Sequence, residues 1–87
     1  MKRFKVWYEV EVIAYDYFLL TEEKGFSIIL TEYTWDWLKF RCTENTLSRS
    51  EHYDFFKCVN ETNDYIIGNN LDKSKIKYPE IYEYVKP

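Results

Sequence analysis

The stretch Phe4-Lys5-Val6-Trp7-Tyr8-Glu9-Val10-Glu11-Val12-Ile13-Ala14 decides how the rest of the chain is read. Phe4, Val6, Tyr8, Val10, Val12 and Ala14 share one parity, and Lys5, Trp7, Glu9, Glu11 and Ile13 share the other. Successive side chains leave a strand on opposite sides, so this alternation marks a long strand with one buried face. The outward face is not wholly polar, because Trp7 and Ile13 lie on it with the two glutamates between them.

Downstream, Tyr17-Phe18-Leu19-Leu20 and Phe26-Ser27-Ile28-Ile29-Leu30 flank the polar segment Thr21 to Gly25. That pattern predicts a hairpin in which Gly25 supplies a positive φ. Residues 31–43 carry two signals. Leu30, Tyr33, Trp37 and Phe40 follow helical spacing, with Glu32 and Asp36 early and Lys39 and Arg41 late, as a helix dipole favours. Tyr, Thr, Trp and Phe prefer strands, however, and Leu38, Phe40 and Cys42 alternate. A helix is predicted here, with strand as the alternative. Ser48-Arg49-Ser50-Glu51 matches a capping box and predicts a second helix reaching Val59, ended by Asn60. Its rival is a strand from Phe55 to Val59. Asp64 to Ile67 reads as a short strand closed by Gly68-Asn69-Asn70. Lys73, Lys75 and Lys77 alternate with Ser74, Ile76 and Tyr78, and Pro79 opens a last helical turn holding Ile81, Tyr82, Tyr84 and Val85.

These elements predict one α+β domain over 1–87: a small antiparallel sheet with one or two helices on one face, or alternatively an all-β meander. At 87 residues every large apolar side chain matters to the core. Nine Tyr, six Phe and three Trp are more rings than so small an interior easily hides. The surplus points to function, since exposed rings anchor protein interfaces and stack on bases.

Composition also excludes. The net charge of −3 argues against a generic duplex-DNA binder. No apolar run reaches the roughly 20 residues a membrane span needs. Glu9 and Glu11 interrupt any signal-peptide core, so the expected compartment is the cytoplasm. There Cys42 and Cys58 are expected as buried or half-buried free thiols and Asn60-Glu61-Thr62 as a turn. Phe, Ile, Tyr, Asn and Lys far outnumber Gly, Ala, Arg and Pro. That bias follows AT-rich codons and is common in short frames of bacteriophages and low-GC bacteria.

Catalytic signatures fail mostly by absence. One histidine and two glycines leave no two-histidine site and no Gly-rich phosphate cradle. A thiol nucleophile would pair Cys58 or Cys42 with His52, but a helix turns His52 and Cys58 to opposite sides. Zinc at Cys42, His52 and Cys58 lacks a fourth ligand and a known spacing. Glu9 and Glu11 lie ~6–7 Å apart along a strand, within glycosidase range, on a chain with little room for a sugar cleft. No enzyme activity, cofactor or metal is expected.

Two binding readings remain. In the first, the chain is a protein-interaction module, a phage-encoded inhibitor or modulator of a host or cellular protein. Trp7, Tyr33, Trp35 and Trp37 are its anchors, and Glu9, Glu11 and Asp36 supply polarity. The alternative is a single-stranded nucleic-acid binder using Lys73, Lys75, Lys77, Tyr78, Tyr82 and Tyr84. A homodimer fits either reading, because a long first strand and an aromatic face invite self-association.

Overall fold

The computed structural model describes residues 2–15 and 24–85, with the side chains of 83–85 outside that description. The alternating amino-terminal stretch forms strand β1, Phe4–Tyr15. Strand β2, Gly25–Asp36, runs antiparallel to it in unbroken register from Tyr15↔Gly25 to Phe4↔Asp36. The expected hairpin strand at Tyr17 to Leu20 lies outside the described residues. Gly25 instead opens β2, and no described glycine has positive φ.

The helix expected over 31–43 is not formed. Thr31 to Asp36 is the second half of β2, and strand β3 begins at Arg41 and runs to His52. Thr31, Tyr33, Thr34 and Trp35 suit a pleated surface, and β2 is central, so each meets a partner on both sides. Long-range pairing overrides a spacing that also happens to fit a helix. The register shift between Leu30 and Thr31 places Leu47 as an extra residue in β3, a bulge on an edge strand. Leu47 packs against the core.

The capping box at Ser48 does not start a helix either. Ser50 and His52 pair with Ile28 and Phe26 across the sheet. Helix α1, Phe55–Gly68, begins later, at an Asp54 cap whose carboxylate accepts from the Phe56 N–H at 2.9 Å. It runs through the positions expected as the Asn60 stop, the 60–63 turn and the 64–67 strand. Thr62 is accommodated because its hydroxyl donates back to the Cys58 carbonyl at 2.9 Å. Beyond α1 a 3-10 turn at Lys73–Lys75 leads into strand β4, Ile76–Lys77, and then helix α2, Glu80–Val85, just after Pro79 as expected. Strand order is β3-β2-β1-β4. β4 is parallel to β1, so the sheet is mixed, with the helices against one face. The α+β class holds.

Cys58, Val59, Thr62 and Ile66 of α1 are buried. With Val10, Ile28, Leu30, Ile76 and Tyr82 its apolar members form the core. A 14-residue helix is ~21 Å long, whereas a 12-residue strand is ~40 Å. The helix therefore covers only part of the sheet. The interior sits around Val10, Ile28 and Leu30, and the far half, from Phe4 to Trp7 and Tyr33 to Thr43, runs on past it.

Candidate functional site: an uncovered aromatic face and its edge

The elements that pack on the sheet all meet the face carrying Val10, Ile28 and Leu30. Residues of the other parity, Trp7, Glu9, Tyr33 and Trp35 among them, lie on the opposite face, where no described helix packs, although Ser27 on that face near the start of β2 is fully enclosed. Register brings them together: Trp7 is opposite Tyr33 and Lys5 opposite Trp35. Trp7 and Tyr33 stack at 5.6 Å between centroids, 13° apart in plane. The Lys5 ammonium sits 5.7 Å from the Trp7 ring, and the Trp7 indole N–H donates to Glu9 Oε2 at 3.2 Å. Burial first, then the charges of Glu9, Glu44 and Glu11, raise the Tyr33 phenol above its ordinary value. The rings on this face are thus set among carboxylates.

The row continues into the β2–β3 turn, Trp37 to Phe40. Trp35 meets Trp37 edge-on at 5.7 Å and Phe40 at 6.2 Å. Trp37, Leu38 and Phe40 are 45%, 70% and 73% exposed, a cluster of large apolar side chains at the tip of the hairpin. Phe4 is exposed as well. Of the three tryptophans, Trp37 is exposed and Trp7 and Trp35 are half-buried. The Trp35 indole N–H is enclosed without an acceptor.

Asp36, expected as a polar anchor for a partner, is instead the fastener of this turn. It is enclosed, accepts two hydrogen bonds from the Arg3 guanidinium at 3.0 and 3.1 Å, and takes the Leu38 N–H at 2.9 Å. The Trp37 N–H completes the tie by donating to the Arg3 carbonyl at 2.8 Å. Arg3, with the Leu38 and Lys39 amides, holds the Asp36 carboxyl below its ordinary value. A lowered carboxyl stabilises the folded state when ionised. That contribution is complete above the ordinary value of 3.8 and is lost as pH falls through the lower folded-state value. Asp36→Asn is expected to melt below the native protein at neutral pH, with the difference closing below pH 4 or so. Thermal melts across pH check this; a difference undiminished in strong acid would show that the charge is not the cause.

The expected nucleic-acid set is scattered. Tyr82 is fully enclosed, with its hydroxyl donating to Asn63 Oδ1 at 2.5 Å, so it offers no surface for a base. Tyr78 is half-buried and stacks on Tyr82 at 5.0 Å. The Tyr84 side chain lies outside the described residues. Lys73 is exposed. Lys75 and Lys77, however, line an open groove of about 780 Å³ beside β1, with Lys2, Lys5, Trp7 and Trp37.

Elsewhere the geometry offers little chemistry. Ser50 and His52 both hydrogen-bond Glu61, His52 Nε2 at 2.6 Å from Oε1. The serine hydroxyl thus donates to the acid and not to the imidazole, so no base activates it. Cys58 is buried, and burial pushes its thiol up, away from thiolate. Cys42, expected to be at least half-buried, is exposed on the other face because it stands near the start of edge strand β3, and no three metal-ligating side chains converge among the described residues. Among the described residues no helix is long and apolar enough to cross a membrane.

Sequence reasoning missed Leu38 and Phe40 as tip residues and Lys2, Lys5 and Phe4 as groove residues. Asp36 followed by two backbone amides is an Asx-type turn, and Asp between two strand-forming runs was the signal available. No family model, curated protein or solved structure matches the chain.

Proposed function

We propose that this chain is a non-enzymatic protein-interaction module of the cytoplasm, docking a host or cellular protein through the sheet face bearing Trp7, Tyr33 and Trp35 and through the hairpin tip. The observation that carries the reading is the ring row, Tyr33 and Trp7 to Trp35, Trp37 and Phe40, which ends in a tip whose apolar side chains are largely exposed. Such rings bury much area at small entropic cost, and flanking charges orient the partner. Glu9, Glu11 and Glu44 favour a basic rim opposite the face. Occupying a working surface of its partner would make the chain an inhibitor or modulator.

The test compares variants. A tagged chain is expected to retain a specific protein, and Tyr33→Ala or Phe40→Ala to weaken that complex. A residue of this kind at an interface centre contributes about 2 kcal/mol or more, roughly thirtyfold in affinity. Ile81→Ala, on exposed α2 surface, serves as the control and should leave the complex intact. Equal retention by all three variants would place the contact elsewhere and end this reading. Retention of the chain's own copy alone, seen by sedimentation, would replace the partner with a homodimer.

A further inference from the structure

The groove beside β1 exists because β4 is short. β4 has two residues and pairs only with Tyr8 and Glu9, whereas β1 is paired with β2 along its whole length. From Phe4 to Trp7 the outer edge of β1 therefore has no strand neighbour among the described residues. No strand partner for its backbone groups on that side appears among the described residues, and the 3-10 turn at Lys73–Lys75, which precedes β4 and touches β1, flanks it.

Charge distinguishes this edge from the rest of the molecule. Among the described residues Lys2, Lys5, Lys75 and Lys77 line it with Glu9, and Asp72 acts on Lys75 from beside the turn, so cations outnumber carboxylates here in a chain whose net charge is −3. None of the four is ion-paired among the described residues. Glu9 is partly engaged by the Trp7 indole. The slot thus favours an anionic occupant, while the adjoining face is acidic.

The rings decide which anion fits. Trp7 has Tyr33 stacked on it at 5.6 Å and the Lys5 ammonium 5.7 Å from its ring, and the Arg3 guanidinium lies 4.8 Å from the centre of the Phe4 ring. Trp7 and Phe4 are thus partly occupied by neighbours, and the exposed Trp37 at the end of the groove offers one ring where a single strand needs platforms for successive bases. An open strand edge between lysines suits a peptide backbone better. We infer that this slot binds an extended acidic peptide segment of the partner by strand addition to the edge of β1 beside the 3-10 turn, with carboxylates meeting Lys5, Lys75 and Lys77. The inference rests on the protein-interaction reading above and names the partner's chemistry at its edge.

The probe is a fluorescein-labelled peptide of alternating Glu and Val, titrated by anisotropy against the full chain, with an oligothymidylate of matched length as the second arm. The acidic peptide is expected to bind, and Lys75→Glu with Lys77→Glu to weaken it roughly tenfold or more, because like charges then face each other. The same peptide N-methylated at alternate amides should lose binding by a similar factor, since it cannot complete a ladder. Circular dichroism confirms that the lysine variant, changed only at exposed side chains, stays folded. No binding of the peptide, equal binding of its N-methylated form, or indifference to the lysine reversals would each overturn strand addition. So would tighter, salt-sensitive binding of the oligothymidylate. If the peptide fails while Tyr33→Ala and Phe40→Ala still release the partner, this inference falls and the face reading stands. If those variants keep the partner, the face reading falls whatever the peptide does.

Discussion

Leu30→Ala is expected to destabilise the domain by about 2–5 kcal/mol, the range for emptying a fully enclosed leucine site. Leu30 has no exposed surface and stands on the central strand, opposite Val10 on β1 and Ser48 on β3, in the cluster that includes Val59 and Ile66 of α1. Domains of this size hold on the order of 4–13 kcal/mol in total, so the loss is a large share. Urea titration followed by circular dichroism should show a lower midpoint with unchanged slope. Ile29→Ala is the matched comparison: it immediately precedes Leu30, lies on the opposite face of β2 and is half-buried. Its cost should be clearly smaller. Equal costs would mean that the two faces of β2 are not the inside and outside described here.

Tyr82→Ala should be comparably severe, at about 3–5 kcal/mol for a buried ring reduced to a methyl. Six residues are too few to hold a helix unaided, so α2 depends on what Tyr82 packs against. That includes the stacked Tyr78, the Val59 carbonyl and the Asn63 amide oxygen on α1. Tyr82→Phe keeps the ring and deletes the hydroxyl, for a cost of about 1 kcal/mol. The gap between the two variants measures the ring against the hydrogen bond. Near-identical midpoints for Tyr82→Ala and the native protein would show that α2 does not contribute to the core.

Several features were legible in the residues, for identifiable reasons. β1 was readable because six apolar residues alternate without interruption, and α2 because Pro79 sets the backbone for a first turn. The grouping of Trp7, Glu9, Glu11, Tyr33 and Trp35 on one side follows from parity once both strands exist. What was not legible depended on distant partners. Leu30, Tyr33, Trp37 and Phe40 satisfy helical and strand templates alike, and only pairing of Thr31 to Asp36 with β1 and β3 decides between them. Ser48-Arg49-Ser50-Glu51 has the letters of a cap, but Ser50 is needed in the ladder opposite Ile28. Asn60, Thr62 and Asn63 resemble a turn locally, yet Thr62 is fully buried against the sheet and Asn63 accepts from Tyr82. The slot was out of reach for a topological reason. α1 must carry the chain from the β3 edge to the opposite edge before Lys75 and Lys77 lie beside Trp7.

The mismatch between strand length and helix length gives the sheet two levels of protection along a single set of strands. Amides of Ile28 and Leu30, under α1, should exchange with deuterium only through whole-molecule opening. Those of Tyr33 to Thr43, held by the ladder and the Arg3–Asp36 fastener with no described helix above, should exchange through local fraying. A ligand seated on the rings would then slow the fast set and leave the slow set untouched. The protein would carry its own footprinting reference, with the quiet end of each strand calibrating the responsive end.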